Sequence, residues 1–217
     1  NRLNVDTSVT SPEGLNAAAR GTVPFDDGQL SMDVALNAFP LAALNRVVRG
    51  QDLSGQVTGS ARVTGRLAAP QASFDMRASG LRAAPLTSAG LGPLQLAASG
   101  RYSGNAVQLA RLTADGPSGL GIEASGTIPL SGAGLGLNVA GTAPLSIANR
   151  ILADRGAQIS GTASANIRVT GAVANPVING TISTANASAV DPLTNLRISD
   201  VRLAAAVNGD RLSITEG

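Results

Sequence analysis

The chain contains no cysteine and no histidine among its 217 residues. The absence of cysteine excludes disulfides and thiol nucleophiles, and it is compatible with any redox compartment. The absence of histidine excludes imidazole bases, and the two absences together remove the ordinary ligands of a zinc site. We therefore expect no metal site and no cofactor.

Aromatic residues are almost as scarce, since they make up 2% of the chain and include no tryptophan, whereas 43% of the residues are hydrophobic. The apolar residues are therefore mainly alanine, valine, leucine and isoleucine, whose side chains cover a surface thinly. A β-sandwich of this size usually contains more large aromatic residues in its core.

Lysine is also absent, so all 16 basic residues are arginine, which raises the isoelectric point to about 10.3 although the formal net charge is only +2. The arginines are scattered along the chain. Arg62 and Arg66 share one face of a predicted strand, but no aromatic residues that could stack on bases accompany them. This pattern indicates a solvated outer face, and we expect no nucleic-acid partner.

The chain has no apolar run of about 18 residues that would span a bilayer as a helix. We also expect no signal peptide within it. The sequence opens in the middle of a strand-like pattern at Asn1 and stops in the middle of another at Ile214. We therefore expect this sequence to be a piece of a longer protein.

The most regular stretch of the chain is residues 53–67, LSGQVTGSARVTGRL, in which every second residue is apolar or glycine and the residues between are polar. A period of two places the two sets on opposite faces of a β-strand. At about 3.3 Å per residue the stretch would span roughly 50 Å, whereas a usual strand has about 5–6 residues.

The same pattern recurs at residues 159–173, ISGTASANIRVTGAV, where Gly55, Val63 and Pro70 have counterparts 106 residues later. Flanking segments repeat at offsets of 104 to 107 residues. The chain therefore holds two copies of a unit of about 105 residues, approximately 14–118 and 119–217, each with about seven strands and one short helix. Because no linker separates them, we expect residues 1–217 to form one continuous sheet.

The period of two breaks at residues 40–50 and again at residues 144–152, just before each long strand. Apolar residues in the first segment follow a helical period, Pro40 suits a first helical turn, and Arg49 and Gly50 suit a helix end. These signals predict a short helix in each segment.

Nearly every predicted strand has one apolar face, which must be buried against something. Residues 107–112 slip in phase, which indicates a β-bulge. A second sheet would bury the apolar faces in a sandwich or a barrel. Alternatively, the sheet curls and its apolar face lines a groove, which glycines such as Gly55 and Gly59 favour because they leave space and allow bending. The pattern alone leaves both architectures open.

The repeated pattern resembles a known family. Each copy has a glycine-punctuated alternation, a Val-Thr-Gly triplet at residues 63–65 or 169–171, a proline five residues later, and another alternating strand. This order resembles the TamB family, the inner-membrane-anchored periplasmic subunits of the translocation and assembly module, and more distantly the AsmA-like proteins. The copies differ at Phe74, which is glycine at position 180, and a ring there would narrow the groove or pack under the helix.

The resemblance implies an all-β fold with two short helices and a curled antiparallel sheet, the β-taco, built from two repeats around an open apolar groove. It implies a periplasmic bridge between the inner and outer membranes of a Gram-negative bacterium, which conducts phospholipid along the groove and supports assembly of outer-membrane proteins such as autotransporters. It also implies a TamA-like outer-membrane barrel as a partner, contacted through regions outside this sequence.

On this interpretation the apolar residues of the two long strands form the floor of the lipid groove, and they do no chemistry. The predicted lining residues are Val57, Ala61, Val63, Leu67, Ile159, Ile167, Val169 and Val173. The alternative is that these residues only pack against a helix or a facing sheet. A second functional hypothesis is a chaperone-like module that accepts client β-strands at its sheet edges without carrying lipid.

The sequence offers little support for an enzyme. Aspartates lie near predicted turns or a helix end, or on the polar faces of strands, and no spacing pairs them for acid–base chemistry. These residues are Asp26, Asp27, Asp154 and Asp191 in the first group and Asp33 and Asp75 in the second. The glycines at 119 and 121 lack the rest of a dinucleotide-binding fingerprint. We predict that the chain is not an enzyme.

Overall fold

The structure is a computed structural model that describes residues 2–26, 28–48, 50–88, 90–153 and 156–216. Asp27, Arg49 and Asp154, to which the sequence pattern assigns turn or helix-end positions, lie outside the described residues.

The described residues form thirteen β-strands joined by turns and short helical segments. The strands are β1 (Arg2–Thr10), β2 (Asn16–Pro24), β3 (Gln29–Pro40), β4 (Ser54–Arg66), β5 (Ala69–Arg82), β6 (Leu94–Ser103), β7 (Ala106–Asp115), β8 (Gly121–Pro129), β9 (Ala133–Pro144), β10 (Gln158–Ala172), β11 (Asn175–Asp191), β12 (Leu196–Asn208) and β13 (Arg211–Glu216). The two short α-helices are α1 (Ala84–Ser88) and α2 (Asn149–Leu152), and 3-10 turns cover Leu41–Arg46, Pro117–Gly119 and Leu145–Ala148.

All thirteen strands belong to one antiparallel sheet, in which each strand pairs with its neighbours in the sequence. The sheet is curled and does not close. Because successive strands run in opposite directions, every connection after an odd-numbered strand lies at one end of the strands and every connection after an even-numbered strand lies at the other. We call these ends the helical rim, which carries all the helical segments, and the turn rim, which carries the short turns.

The two faces of the sheet follow from the register. Val63 of β4 lies opposite Met32 of β3 and Ala72 of β5, and Val169 of β10 lies opposite Leu137 of β9 and Ile178 of β11. Residues that face each other across antiparallel strands project to the same side. These residues therefore share one side, which we call the apolar face.

The opposite side, which we call the polar face, carries the alternate residues of the same strands. Arg62 of β4, for example, lies opposite Asp33 of β3 and Ser73 of β5. The period-two pattern thus correctly predicts a sheet with one apolar and one polar surface.

Very little of the described chain is fully buried. The buried hydrophobic residues are Leu94, Ala114, Leu120 and Ala187, and all four lie toward the helical rim. The accessible surface is 13542 Å², whereas a compact protein of 21.5 kDa exposes about 9,200 Å². The chain therefore has a small packed region at one rim and leaves an unusually large surface open.

A contact at the helical rim records the curl of the sheet. The Arg150 guanidinium of α2 donates hydrogen bonds to the carbonyl oxygens of Thr87 and Ser88 in α1. These helices follow β9 and β5, so in a flat sheet their connections would be roughly 19 Å apart, at about 4.8 Å per strand. The contact therefore requires the sheet to bend between β5 and β10.

The fold class predicted from the sequence is confirmed as an all-β chain with one curled antiparallel sheet and two short helices, but several details differ. Residues 41–46 form a 3-10 turn where a longer helix is predicted, whereas α1 forms in a stretch with no predicted helix. The bulge predicted within residues 107–112 is present, because Ala110 is inserted between two registered pairs. Each predicted unit is expected to have about seven strands, but the structure describes six in residues 14–118 and six in residues 119–217.

Candidate functional site: the apolar face of the sheet

Six of the eight predicted lining residues project from the apolar face, three from each long strand. Val57, Ala61 and Val63 lie on β4, and Ile159, Ile167 and Val169 lie on β10. The alternation within each strand brings each set of three to one surface. The two strands are separated in the sheet by β5 to β9, so the structure does not bring the two sets into direct contact.

Leu67 and Val173 lie outside the strands that were predicted to include them. Each occupies the two-residue turn that follows its long strand, and each is about half exposed at the turn rim. The chain reverses direction after Arg66 and after Ala172, at residues that are not usual turn formers. The alternation of apolar and polar residues therefore continues into each turn and hides it.

Large side chains cover several glycines of the apolar face from the neighbouring strand. A Cβ atom placed on Gly100 would lie 2.9 Å from Cζ of Phe74, and one on Gly59 would lie 2.5 Å from Sδ of Met76. Phe74 thus packs on the glycine of the next strand, and part of the space that the glycine pattern predicts to be vacant is filled. The sequence pattern misses these pairs because the strand register decides them.

A matching irregularity lies opposite the first glycine of each long strand. The register slips at residues 80–81 of β5, next to Gly55, and again at residues 186–187 of β11, next to Gly161. The extra residue lies in β5 in the first case and in β11 in the second, and not in the long strand. Because bulges bend and twist a sheet locally, both long strands enter the sheet through a bend near the helical rim.

No second layer formed by the described part of the chain covers the apolar face, because all of its strands belong to the same sheet. Exposure of the apolar side chains increases toward the sheet edges, where Leu3 of β1 and Leu212 and Ile214 of β13 are half exposed or more. The described helical segments contact mainly the ends of strands or one another. The apolar face is therefore a single layer of side chains, and no described residue forms a lid over it.

Cross-strand ion pairs lie on the polar face. Arg20 Nε donates to Asp6 Oδ1 at 3.0 Å, and Arg62 Nε donates to Asp33 Oδ1 at 2.6 Å. The hydrogen bond from Arg62 lowers the pKa of the Asp33 carboxyl, and the same bond raises the pKa of Arg62. Since these side chains are exposed, the pairs add little to stability.

Concave regions open on the polar face, although the glycine pattern predicts a groove on the other side. One of about 840 Å³ runs across β5 to β10 and is lined by Arg77, Arg111, Glu123 and Asn166 among others. Arg111 is already paired with Glu123 at 2.8 Å. This region therefore presents a largely charge-balanced polar surface.

The four described aspartates among those considered for acid–base chemistry have structural partners. Asp26 accepts a hydrogen bond from the backbone N–H of Gly28 at 3.1 Å, and Asp191 accepts one from the backbone N–H of Leu193 at 2.9 Å. Asp75 lies 3.8 Å from Arg77. In the part of the chain that the structure describes, no three acidic side chains are grouped to hold a metal ion. The absence of enzymatic activity stays a prediction.

Comparisons with protein-family models, with curated proteins and with solved structures give no match. None of the helices in the described ranges has the length and hydropathy that a bilayer-spanning segment requires.

Proposed function

We propose that the chain is a segment of a TamB-like periplasmic protein that bridges the inner and outer membranes and conducts phospholipid along its apolar face. The observation that carries this proposal is the single thirteen-stranded sheet whose apolar face has no covering layer from the described chain. Its accessible surface of 13542 Å² is roughly half again as large as a compact chain of this mass would expose.

We also propose that the sheet is a β-taco built from two repeats. Support comes from contacts that recur between the two halves. Asn45 accepts a hydrogen bond from the backbone N–H of Leu53 at 2.7 Å, and Asn149 accepts one from that of Ile159 at 2.6 Å. Asn45 lies within a 3-10 turn that begins after Pro40, and Asn149 directly follows one that begins after Pro144. Each asparagine thus fixes the start of the following long strand.

The energetics favour an acyl chain as the guest of this surface. Burial of several hundred Å² of acyl chain, at about 25 cal/mol per Å², gains roughly 10 kcal/mol before the costs of ordering. Val57, Ala61, Val63, Ile159, Ile167 and Val169 provide the apolar floor, and an acyl chain requires no specific polar partner on it.

Substitution of Val169 by aspartate tests this role. Because the face is open to solvent, the carboxylate can remain hydrated, and we expect Val169→Asp to stay folded but to lose co-purifying phospholipid, measured by mass spectrometry. Thr170→Asp, one residue along β10 on the polar face, is the matched control and should keep both fold and lipid. If Val169→Asp unfolds the protein, Val169 is a core residue, since an unpaired buried charge costs several kcal/mol. If it keeps full lipid, the conduit is excluded.

A second candidate is a chaperone-like module that accepts client β-strands at a sheet edge. Among the described residues β1 and β13 each have a strand partner on one side only, and β13 pairs with only the last residues of β12. Such edges can accept an added strand. A photo-crosslinker at Ser213 of β13 should trap an unfolded outer-membrane barrel protein if clients bind there, whereas one at Ile167 should trap lipid if the face is the conduit.

The remaining parts of the proposal concern the cellular setting. A TamB-like protein is anchored in the inner membrane, faces the periplasm and works with a TamA-like outer-membrane barrel. We propose that contact with this barrel involves regions outside the present sequence, and that outer-membrane proteins such as autotransporters benefit from the lipid that is delivered.

A further inference from the structure

Exposed apolar side chains mark four of the turns along the turn rim. Phe25 is 70% exposed, Leu67 49%, Leu130 58% and Val173 48%. We call these four residues the turn-tip row. Short turns normally carry glycine, proline, asparagine, aspartate or serine, because those residues fit the backbone and face water. Phenylalanine, leucine and valine are not among these usual turn residues.

The row has the same order in both halves of the sheet. Leu130 follows Phe25 by 105 residues, and Val173 follows Leu67 by 106. The third turn of each half is polar, with Gly104-Asn105 in the first and Gly209-Asp210 in the second. The apolar tips are therefore tied to particular positions in the sheet, unlike a random scatter of surface leucines.

Backbone contacts between neighbouring turns hold part of the row in place. The Leu130 N–H donates to the carbonyl oxygen of Asn105 at 2.8 Å, and the Val173 N–H donates to that of Gly132 at 3.4 Å. The Asn105 side chain also donates to Ser131 Oγ at 2.8 Å. These bonds tie three successive turns of the rim together, so Leu130 and Val173 are presented from a fixed part of it.

The size and spacing of the row argue against a protein partner. From the exposed fractions, the four side chains offer on the order of 400 Å², about half of what each partner contributes to a standard protein interface. Turns that follow β2 and β4 are separated by two strand spacings, or about 10 Å. A protein would need a separate pocket for each tip, whereas a lipid interface accepts separate apolar protrusions without shape complementarity.

We propose that the turn rim docks on a lipid bilayer surface, with the side chains of the turn-tip row inserted at the boundary between headgroups and acyl chains. This docking goes beyond carriage of lipid on the apolar face and does not depend on it. Because each tip buries little area, the binding is weak and reversible.

The absence of tryptophan from the chain allows a clean test of this docking. Leu130→Trp places a single fluorophore in the row, and Leu193→Trp places one at the helical rim, where Leu193 is 74% exposed. With vesicles of equal parts phosphatidylethanolamine and phosphatidylglycerol, we expect a blue shift and quenching by brominated lipid at position 130 only. No shift at 130, or equal shifts at both positions, would overturn the proposal.

Removal of the apolar tips provides the second measurement. Phe25→Ser and Leu130→Ser should each weaken vesicle partitioning by about tenfold, and the double variant by about a hundredfold, as expected when a large apolar side chain loses its buried site. Leu193→Ser is the control and should bind like the unmodified chain. The tip variants should keep co-purifying lipid, so failure of docking and failure of the conduit are separate results. Full vesicle binding by the double variant contradicts the proposal.

Discussion

Gly126 of β8 marks a close approach between two backbones, and its substitution by alanine should strongly destabilise the sheet. Its φ is +137°, and a Cβ atom there would lie 2.0 Å from the carbonyl oxygen of Gly136 and 2.9 Å from Cα of Leu137 in β9. An ordinary Cβ contact begins at 3.4 Å, so the strands would have to part by about 1.4 Å at this point. The lost strand bonds and the unfavourable φ together cost about 2–4 kcal/mol.

Urea unfolding followed by far-ultraviolet circular dichroism measures this loss as a lower midpoint for Gly126→Ala. Gly136→Ala is the matched control, because no atom lies within 4 Å of the added Cβ on the facing strand. It should be neutral or stabilising by up to about 1 kcal/mol. If the two alanine variants unfold at the same urea concentration, the close approach of β8 and β9 described here is incorrect.

Two further substitutions test the contacts that fix the sheet. Asn149→Ala removes the acceptor of the Ile159 N–H and should lower the free energy of unfolding by about 1 kcal/mol, measured by thermal denaturation; an unchanged midpoint would show that the bond adds nothing. Asp33 has a lowered pKa because of Arg62, so its contribution to stability is complete above the ordinary aspartate pKa and disappears as the pH falls through the lowered value. Asp33→Asn should therefore flatten the acid side of the stability–pH curve, and an acid side identical to that of the unmodified chain would contradict the assignment.

The two faces of the sheet could be predicted from the sequence because alternation is a property of each strand alone. Val63 and Val169 project from the apolar face wherever their neighbours lie, since successive side chains of a strand point to opposite sides. The bulge at Ala110 is visible for the same reason, because an inserted residue interrupts the period.

The features that the sequence does not reveal depend on relations between distant residues. Phe74 covers Gly100 because the register of β5 and β6 places them opposite each other, and periodicity carries no information about register. The turn at Leu67 is hidden because the hairpin reverses at Leu67 and Ala68, neither of which is a usual turn residue. Helix α1 has five residues, too few for a helical period to show.

The sequential order of the strands has a consequence for how such a molecule can change its length. Since each strand bonds only to the strands before and after it, insertion or loss of one hairpin leaves the direction and the facing of all later strands unchanged. A single added strand would instead reverse every later strand and exchange the two rims. Growth in whole hairpins, each adding about 10 Å across the sheet, would let evolution adjust the span of the molecule in fixed steps.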